Sequence, residues 1–160
     1  MTDRRQLALR ANIALQTGPV GPAFFYGQYT MHSRLAALFF SIGALAAGLA
    51  VALSAWLAHA PRFAGGVPPM VLTAVQQQGF HALGLMVVAL ALWSRGPSRW
   101  WLLAGMLMLA GLLLFSLNIY VRSFWQWDAW RALVPWGGTS WIAAWLCLAI
   151  GAWRGPRALG

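Results

Sequence analysis

His59 and His81 are the residues of this sequence best suited to chemistry, and both stand among uncharged polar neighbours. In chain order these neighbours are Ser54, Gln76, Gln77, Gln78, Ser116, Asn118, Tyr120 and Arg122. An imidazole titrates near neutrality and can ligate a metal or haem iron, or hydrogen-bond a ligand. Carboxamides and a phenol offer donors and acceptors to a quinone carbonyl or a lipid headgroup. Gln77 and Gln78 precede His81 by four and three residues, the spacing that shares one helical face. The same residue types also join helices inside membranes, at about 0.6 kcal/mol per hydrogen bond on average. The expectation is that these side chains pair with one another across helices. The alternative is a quinone or lipid headgroup bound near His81, Gln78 and Tyr120.

Other chemistries lack their residues. A haem held by two histidines needs both rings at one depth, and helix rise offsets His59 from His81 by about 10–15 Å. Proton-coupled transport needs an intramembrane carboxylate or a titrating relay. Asp128, the one acid beyond Asp3, falls in a loop three residues before Arg131, where a surface ion pair between the two is expected. Small-solute transport is therefore the weakest of the functions considered. There is no nucleophile elbow, phosphate-binding glycine loop or Cys/His metal spacing. Cys147 is the single cysteine and lies in an apolar run, so it reads as a small hydrophobe. The expectation is a protein that is not an enzyme, with no metal and no cofactor.

The elements that must position these residues are apolar. Hydrophobic residues make up 61% of the 160 residues and charged residues 8%, against about 25% charged in soluble domains. That is too little charge to cover a water-facing surface. Four runs approach the length of about 20 residues that spans a bilayer: 35–57, 71–93, 100–120 and 134–153. Gln76–Gln78 and His81 interrupt the second. The first could pass for a signal peptide ending at Ala58-His59-Ala60, but an apolar run of about 23 residues exceeds the usual 7–15 of such a leader. The fold expected is all-α, an integral membrane four-helix bundle over residues 34–157. Residues 1–33 form a basic tail that includes Arg4, Arg5 and Arg10. Within it Gln6 to Gln16 could lie on the membrane surface, and Met31 offers an alternative start.

The net charge is +9, carried by eleven arginines and no lysine. They punctuate the apolar runs instead of forming one basic face, which excludes a nucleic-acid partner. With both termini inside, eight arginines fall on the cytoplasmic side and three (Arg62, Arg122, Arg131) outside, so the topology expected is N-in, C-in. Tryptophans support the same ends: Trp93, Trp100, Trp101 and Trp153 inside; Trp56, Trp125, Trp127, Trp130 and Trp136 outside. Trp125, Trp127 and Trp130 form either an interfacial element or a patch for docking a partner. Small residues four apart, Gly43 with Ala47, Ala44 with Gly48 and Ser140 with Ala144, allow helices to approach closely within the bundle or between subunits. Gly137 and Gly138 follow Pro135 at the start of the fourth run and allow the same.

Four blocks resemble the YgdD-like family, also called domain of unknown function 423, which includes the transmembrane protein 256 group. Ser54-Ala55-Trp56-Leu57-Ala58-His59 resembles that family's Gly-Ala-Phe-Gly-Ala-His. Gln77-Gln78-Gly79-Phe80-His81-Ala82-Leu83 resembles its Tyr-Gln-x-x-His-Ala-Leu. Leu114 to Tyr120 resembles its Leu-Phe-Ser-Gly-Ser-Leu-Tyr, and Pro135-Trp136-Gly137-Gly138 with Trp145 its Pro-x-Gly-Gly and later Gly-Trp. Gln77 replaces the family's Tyr, and Leu57, Leu117 and Ala144 replace its glycines. The resemblance covers roughly Arg34 to Trp153. It implies a small four-helix protein of the bacterial inner membrane and no assigned reaction. Its pattern includes His59, Gln78, His81, Ser116 and Tyr120. The function expected is that of an accessory or assembly subunit, embedded in the lipid bilayer against other membrane subunits.

Overall fold

The computed structural model describes Gln6 and residues 22–154, with side-chain detail for Gln6 and from Ser33 onward. The rest of the Gln6–Gln16 segment and the arginines at 4, 5, 10 and 157 lie outside the described residues. Among the described residues four helices are long and apolar enough to cross a membrane. They are α1 (Pro22–His59), α2 (Pro69–Arg95), α3 (Arg99–Trp125) and α4 (Val134–Arg154). α1 begins inside the segment expected as a tail. Its 38 residues reach about 57 Å at 1.5 Å per residue, well beyond a hydrocarbon core of about 30 Å.

Local chemistry sets the ends. α2 opens on Pro68 and Pro69, where a missing N–H is harmless. It stops at Gly96, whose φ of 83° only glycine adopts freely and whose N–H donates to the Leu92 carbonyl at 3.2 Å. Residues 96–98 make a three-residue connection, with Ser98 at the N-cap of α3 before Arg99, and so short a link makes α2 and α3 run antiparallel. α3 ends at Gln126, a non-glycine residue in the left-handed conformation at φ 58°.

α3 is not a uniform α-helix. Leu112–Leu117 form a π-helical stretch between the α-helical segments Arg99–Gly111 and Asn118–Trp125. Such stretches commonly mark functional positions. The expected bounds did not anticipate it, nor the short 3₁₀ turns Pro61–Phe63 and Arg131–Leu133 in the loops.

α1 packs chiefly on α2, α4 chiefly on α3, and α2 meets α3 between them. Two apolar clusters result. One joins Phe39, Leu85, Trp101, Met108, Trp141 and Cys147. The other joins Ala50, Leu57, Val71, Val75, Ile119 and Tyr120. Trp101, expected at the interface, is buried in the first cluster, where its indole occupies the space a side chain at Gly151 would need. Trp93 and Trp153 are exposed.

Candidate functional site: a polar layer between two apolar clusters

On α2 the first cluster begins at Leu85 and the second ends at Val75; Gln78 and His81 lie between them and are buried. On α3 Ser116 holds the equivalent place between Met108 and Ile119. The bundle therefore carries one polar layer at mid-depth. His81 stands twelve residues into α2, about 18 Å from its start.

The expectation that these side chains bond to one another is corrected. Gln78, Ser116 and Asn118 instead donate to backbone carbonyls. Gln78 Nε2 donates to the Ala46 carbonyl of α1 at 2.8 Å, and Ser116 Oγ to the Ala74 carbonyl of α2 at 3.1 Å. Asn118 Nδ2 donates to the Trp130 carbonyl at 2.7 Å. The physical reason is supply. Carbonyl oxygens keep a second lone pair after helix bonding and face every neighbouring helix, whereas polar side chains are few and must coincide in height.

His81 Nδ1 lies 2.8 Å from the carbonyl of Gln77, one turn earlier. A carbonyl only accepts, so this contact calls for a proton on Nδ1. The imidazole stacks on the Trp141 indole of α4, with centroids 3.9 Å apart and planes 7° apart. Phe80 and Trp145 flank it at 5.2 and 6.3 Å. Such ring pairs contribute roughly 0.5–1.5 kcal/mol beyond area burial.

The π-helical stretch receives α4. Trp141 Nε1 donates to the Met108 carbonyl at 3.2 Å. Its indole fills the space a side chain at Gly111 would occupy. A Cβ at Gly137 would meet the Phe115 nitrogen at 2.6 Å, whereas one at Gly138 meets nothing within 4 Å. Trp141, Gly111 and the π stretch were missed from sequence. Trp141 follows Gly137 by four residues, and that spacing was the available signal.

Other expected residues separate. His59 is exposed at the end of α1, away from the layer. Gln77 contributes its backbone carbonyl, and Gln76 is exposed. Tyr120 is buried in the second cluster, and its hydroxyl has no hydrogen-bond partner among the described residues. Arg122 Nε pairs with Asp128 Oδ1 at 2.6 Å. This corrects the expected Asp128–Arg131 pair. Arg122 lies on the last turn of α3 and approaches the carboxylate after the chain reverses at Gln126, while a spacing of three aligns side chains only on a continuous helix.

The small residues also divide. Gly43 lies against α2, where a Cβ would meet the Ala82 carbonyl oxygen and Met86 Cγ, both at 2.8 Å. Ala47 is half-buried, while Ala44 and Gly48 face outward. Ala144 is in the core, and Ser140 donates to the Trp136 carbonyl of its own helix at 2.8 Å. Trp125, Trp127 and Trp130 are 71%, 52% and 49% exposed, and the last two rings lie 4.7 Å apart.

Four helices long and apolar enough to cross a bilayer, with an uncharged polar layer among their described residues, define a multi-pass membrane protein. The family described as "Protein of unknown function (DUF423)" matches residues 53–138, which include the polar layer and the start of α4. The chain belongs to this family. It is 37% identical to the UPF0382 membrane protein YwdK of Bacillus subtilis over 119 residues, 72% of this chain and 95% of that protein. It is 30% identical to the UPF0382 inner membrane protein YgdD of Escherichia coli K12 over 129 residues, 79% of this chain and 95% of that one. A UPF0382 membrane protein of Staphylococcus epidermidis is 31% identical over 115 residues, covering 71% and 93%. No solved structure matches. The chain is a multi-pass inner-membrane protein of an unknown-function family.

Proposed function

We propose that this protein is a non-enzymatic accessory or assembly subunit, with both termini in the cytoplasm, that docks on a larger membrane complex through its α3–α4 loop. The observation that carries this reading is that the loop's tryptophans are both outward and held in place. The Trp130 carbonyl accepts from Asn118, and Asp128 is tied to Arg122. Tryptophans that merely sit in the lipid interface need no fixed backbone. Tryptophan at a docking surface gains from one, because less freedom is lost on binding. The polar side chains of the layer are spent on backbone carbonyls, which supports a structural role for them. A photo-crosslinking residue at position 127, introduced in the native membrane, should give one discrete adduct with a membrane protein. The same probe at the lipid-facing position 45 should not. A chain that stays uncrosslinked and purifies as a clean monomer in mild detergent counts against the reading.

A second reading, a quinone- or lipid-headgroup-binding protein, is favoured by two buried donors. Tyr120 Oη and Trp145 Nε1 lack partners among the described residues, and Trp145 adjoins His81. A ligand oxygen would satisfy either. His81→Ala and Trp145→Phe should then remove a co-purifying quinone or lipid seen by mass spectrometry. Identical bound species in all variants would end this reading.

A further inference from the structure

The end of the bundle farthest from the tryptophan loop carries charge that the polar layer and the docking reading leave unused. Arg99 at the start of α3 and Arg154 at the end of α4 converge on one ring. Their guanidinium carbons lie 5.6 and 5.2 Å from the Trp100 centroid. Neither guanidinium has a hydrogen-bond or ion-pair partner among the described residues. Arg95 ends α2 one three-residue connection before Arg99. The single described acid, Asp128, is bound to Arg122. Arg122 is 23 residues along α3 from Arg99, about 35 Å away at helical rise.

Two like charges drawn to one indole repel each other, and a shared anion offsets that repulsion by attracting both. Beside them is an open surface groove of about 360 Å³ lined by Arg99, Trp100 and Leu103. This lining, with Arg154 over the same Trp100 ring, names the ligand class. Guanidiniums bind phosphate oxygens through paired N–H donors, and Trp100 supplies an amphipathic wall at the depth of headgroups. Leu103 is exposed and is followed one turn on by exposed Met106, an apolar track running from the groove toward the bilayer centre. A free phosphate has no use for that track. A diacyl lipid does.

We propose that Arg99, Arg154 and Trp100 form a site for the phosphate of an anionic phospholipid, whose acyl chain lies along Leu103 and Met106. Basic pockets between transmembrane helices bind anionic headgroups in this manner. The site lies well away from His81 and Tyr120 and does not depend on either reading of the polar layer.

The test is native mass spectrometry of the full chain in neutral detergent, titrated with short-chain phosphatidylglycerol, phosphatidylcholine of the same chain length, or inorganic phosphate. Phosphatidylglycerol should bind best. Arg99→Gln and Arg154→Gln should each weaken it about fivefold, the size expected per basic residue at a membrane surface. Arg62→Gln, at the other end, should leave it unchanged. Arg99→Lys with Arg154→Lys guards against misfolding: it should retain preference for the anionic lipid with reduced affinity. Equal binding of the two lipids, or unchanged binding when Arg99→Gln and Arg154→Gln are combined, overturns the proposal. Inorganic phosphate competing as strongly as the lipid overturns the acyl-chain assignment.

Discussion

Gly137 and Gly138 are neighbours in the first turns of α4, and the structure assigns them opposite fates on substitution by alanine. At Gly137 the new Cβ would stand 2.6 Å from the Phe115 nitrogen, 2.8 Å from Phe115 Cβ and 2.9 Å from the Leu114 carbonyl carbon. Two of these atoms are backbone, in the π-helical stretch, and cannot rotate away. α4 must then retreat from α3 by several tenths of an ångström, which loosens the seat of Trp141 in the gap at Gly111. Overpacking of this kind costs about 1–3 kcal/mol. At Gly138 there is no neighbour within 4 Å, so only the gain in helix propensity remains, up to about 1 kcal/mol. Both variants share that gain, so the difference between them isolates the clash. Gly137→Ala should be less stable than Gly138→Ala by about 1–3 kcal/mol, a factor of 5–30 in the folded ratio for each 1–2 kcal/mol. Thermal unfolding in one detergent, or titration with a denaturing detergent, reads the difference directly. Equal midpoints for the two variants would refute the close approach of α4 to the π stretch.

Trp141→Phe keeps an aromatic ring against His81 but removes the donor to Met108, a loss of about 0.6 kcal/mol on average for membrane hydrogen bonds. Trp141→Ala should cost about 3–5 kcal/mol, and similar midpoints for the two would show that the indole does not hold α4. Asn118→Ala frees the Trp130 carbonyl, so amide exchange over residues 126–133 should accelerate while the helices stay protected; unchanged exchange would mean that the loop is fixed elsewhere. Asp128→Asn removes an ion pair whose carboxylate is exposed, so stability should fall by less than about 1 kcal/mol and the difference should shrink with added salt. A large effect that persists in salt would place that pair in a dry environment.

The arrangement explains how a chain this apolar tolerates a polar layer. In lipid an unpaired donor is costly, and water cannot supply the missing bond. Gln78 and Ser116 meet this by reaching the backbone of a neighbouring helix, so each also fixes the height of one helix on another. His81 does so differently, bonding within α2 and offering its ring face to Trp141. A single imidazole thereby joins α2 to α4, which also meet where the Trp145 indole lies against Gly84 and the Phe80 ring. Substitutions in the layer should accordingly disturb helix register before they disturb any ligand.

Local rules acting on the sequence alone determined the four spans and their lipid surroundings, while the family was legible only through the resemblance of four motif blocks. Apolar runs of bilayer length, Pro68-Pro69 opening α2 and Gly96 closing it depend only on neighbours along the chain. The burial of Gln78, His81 and Ser116 was also legible, because their helical positions fall between apolar stretches. What each one bonds to was not. Partner choice depends on the relative height and rotation of two helices, and a shift of one residue, about 1.5 Å along the axis, exchanges one carbonyl for another. The tertiary structure alone decided that Ser116 meets Ala74, that Arg122 claims Asp128 ahead of Arg131, and that Gly137 is confined while Gly138 is free. It alone revealed the π-helical stretch at Leu112–Leu117, which lies against Gly137 and Trp141 of another helix.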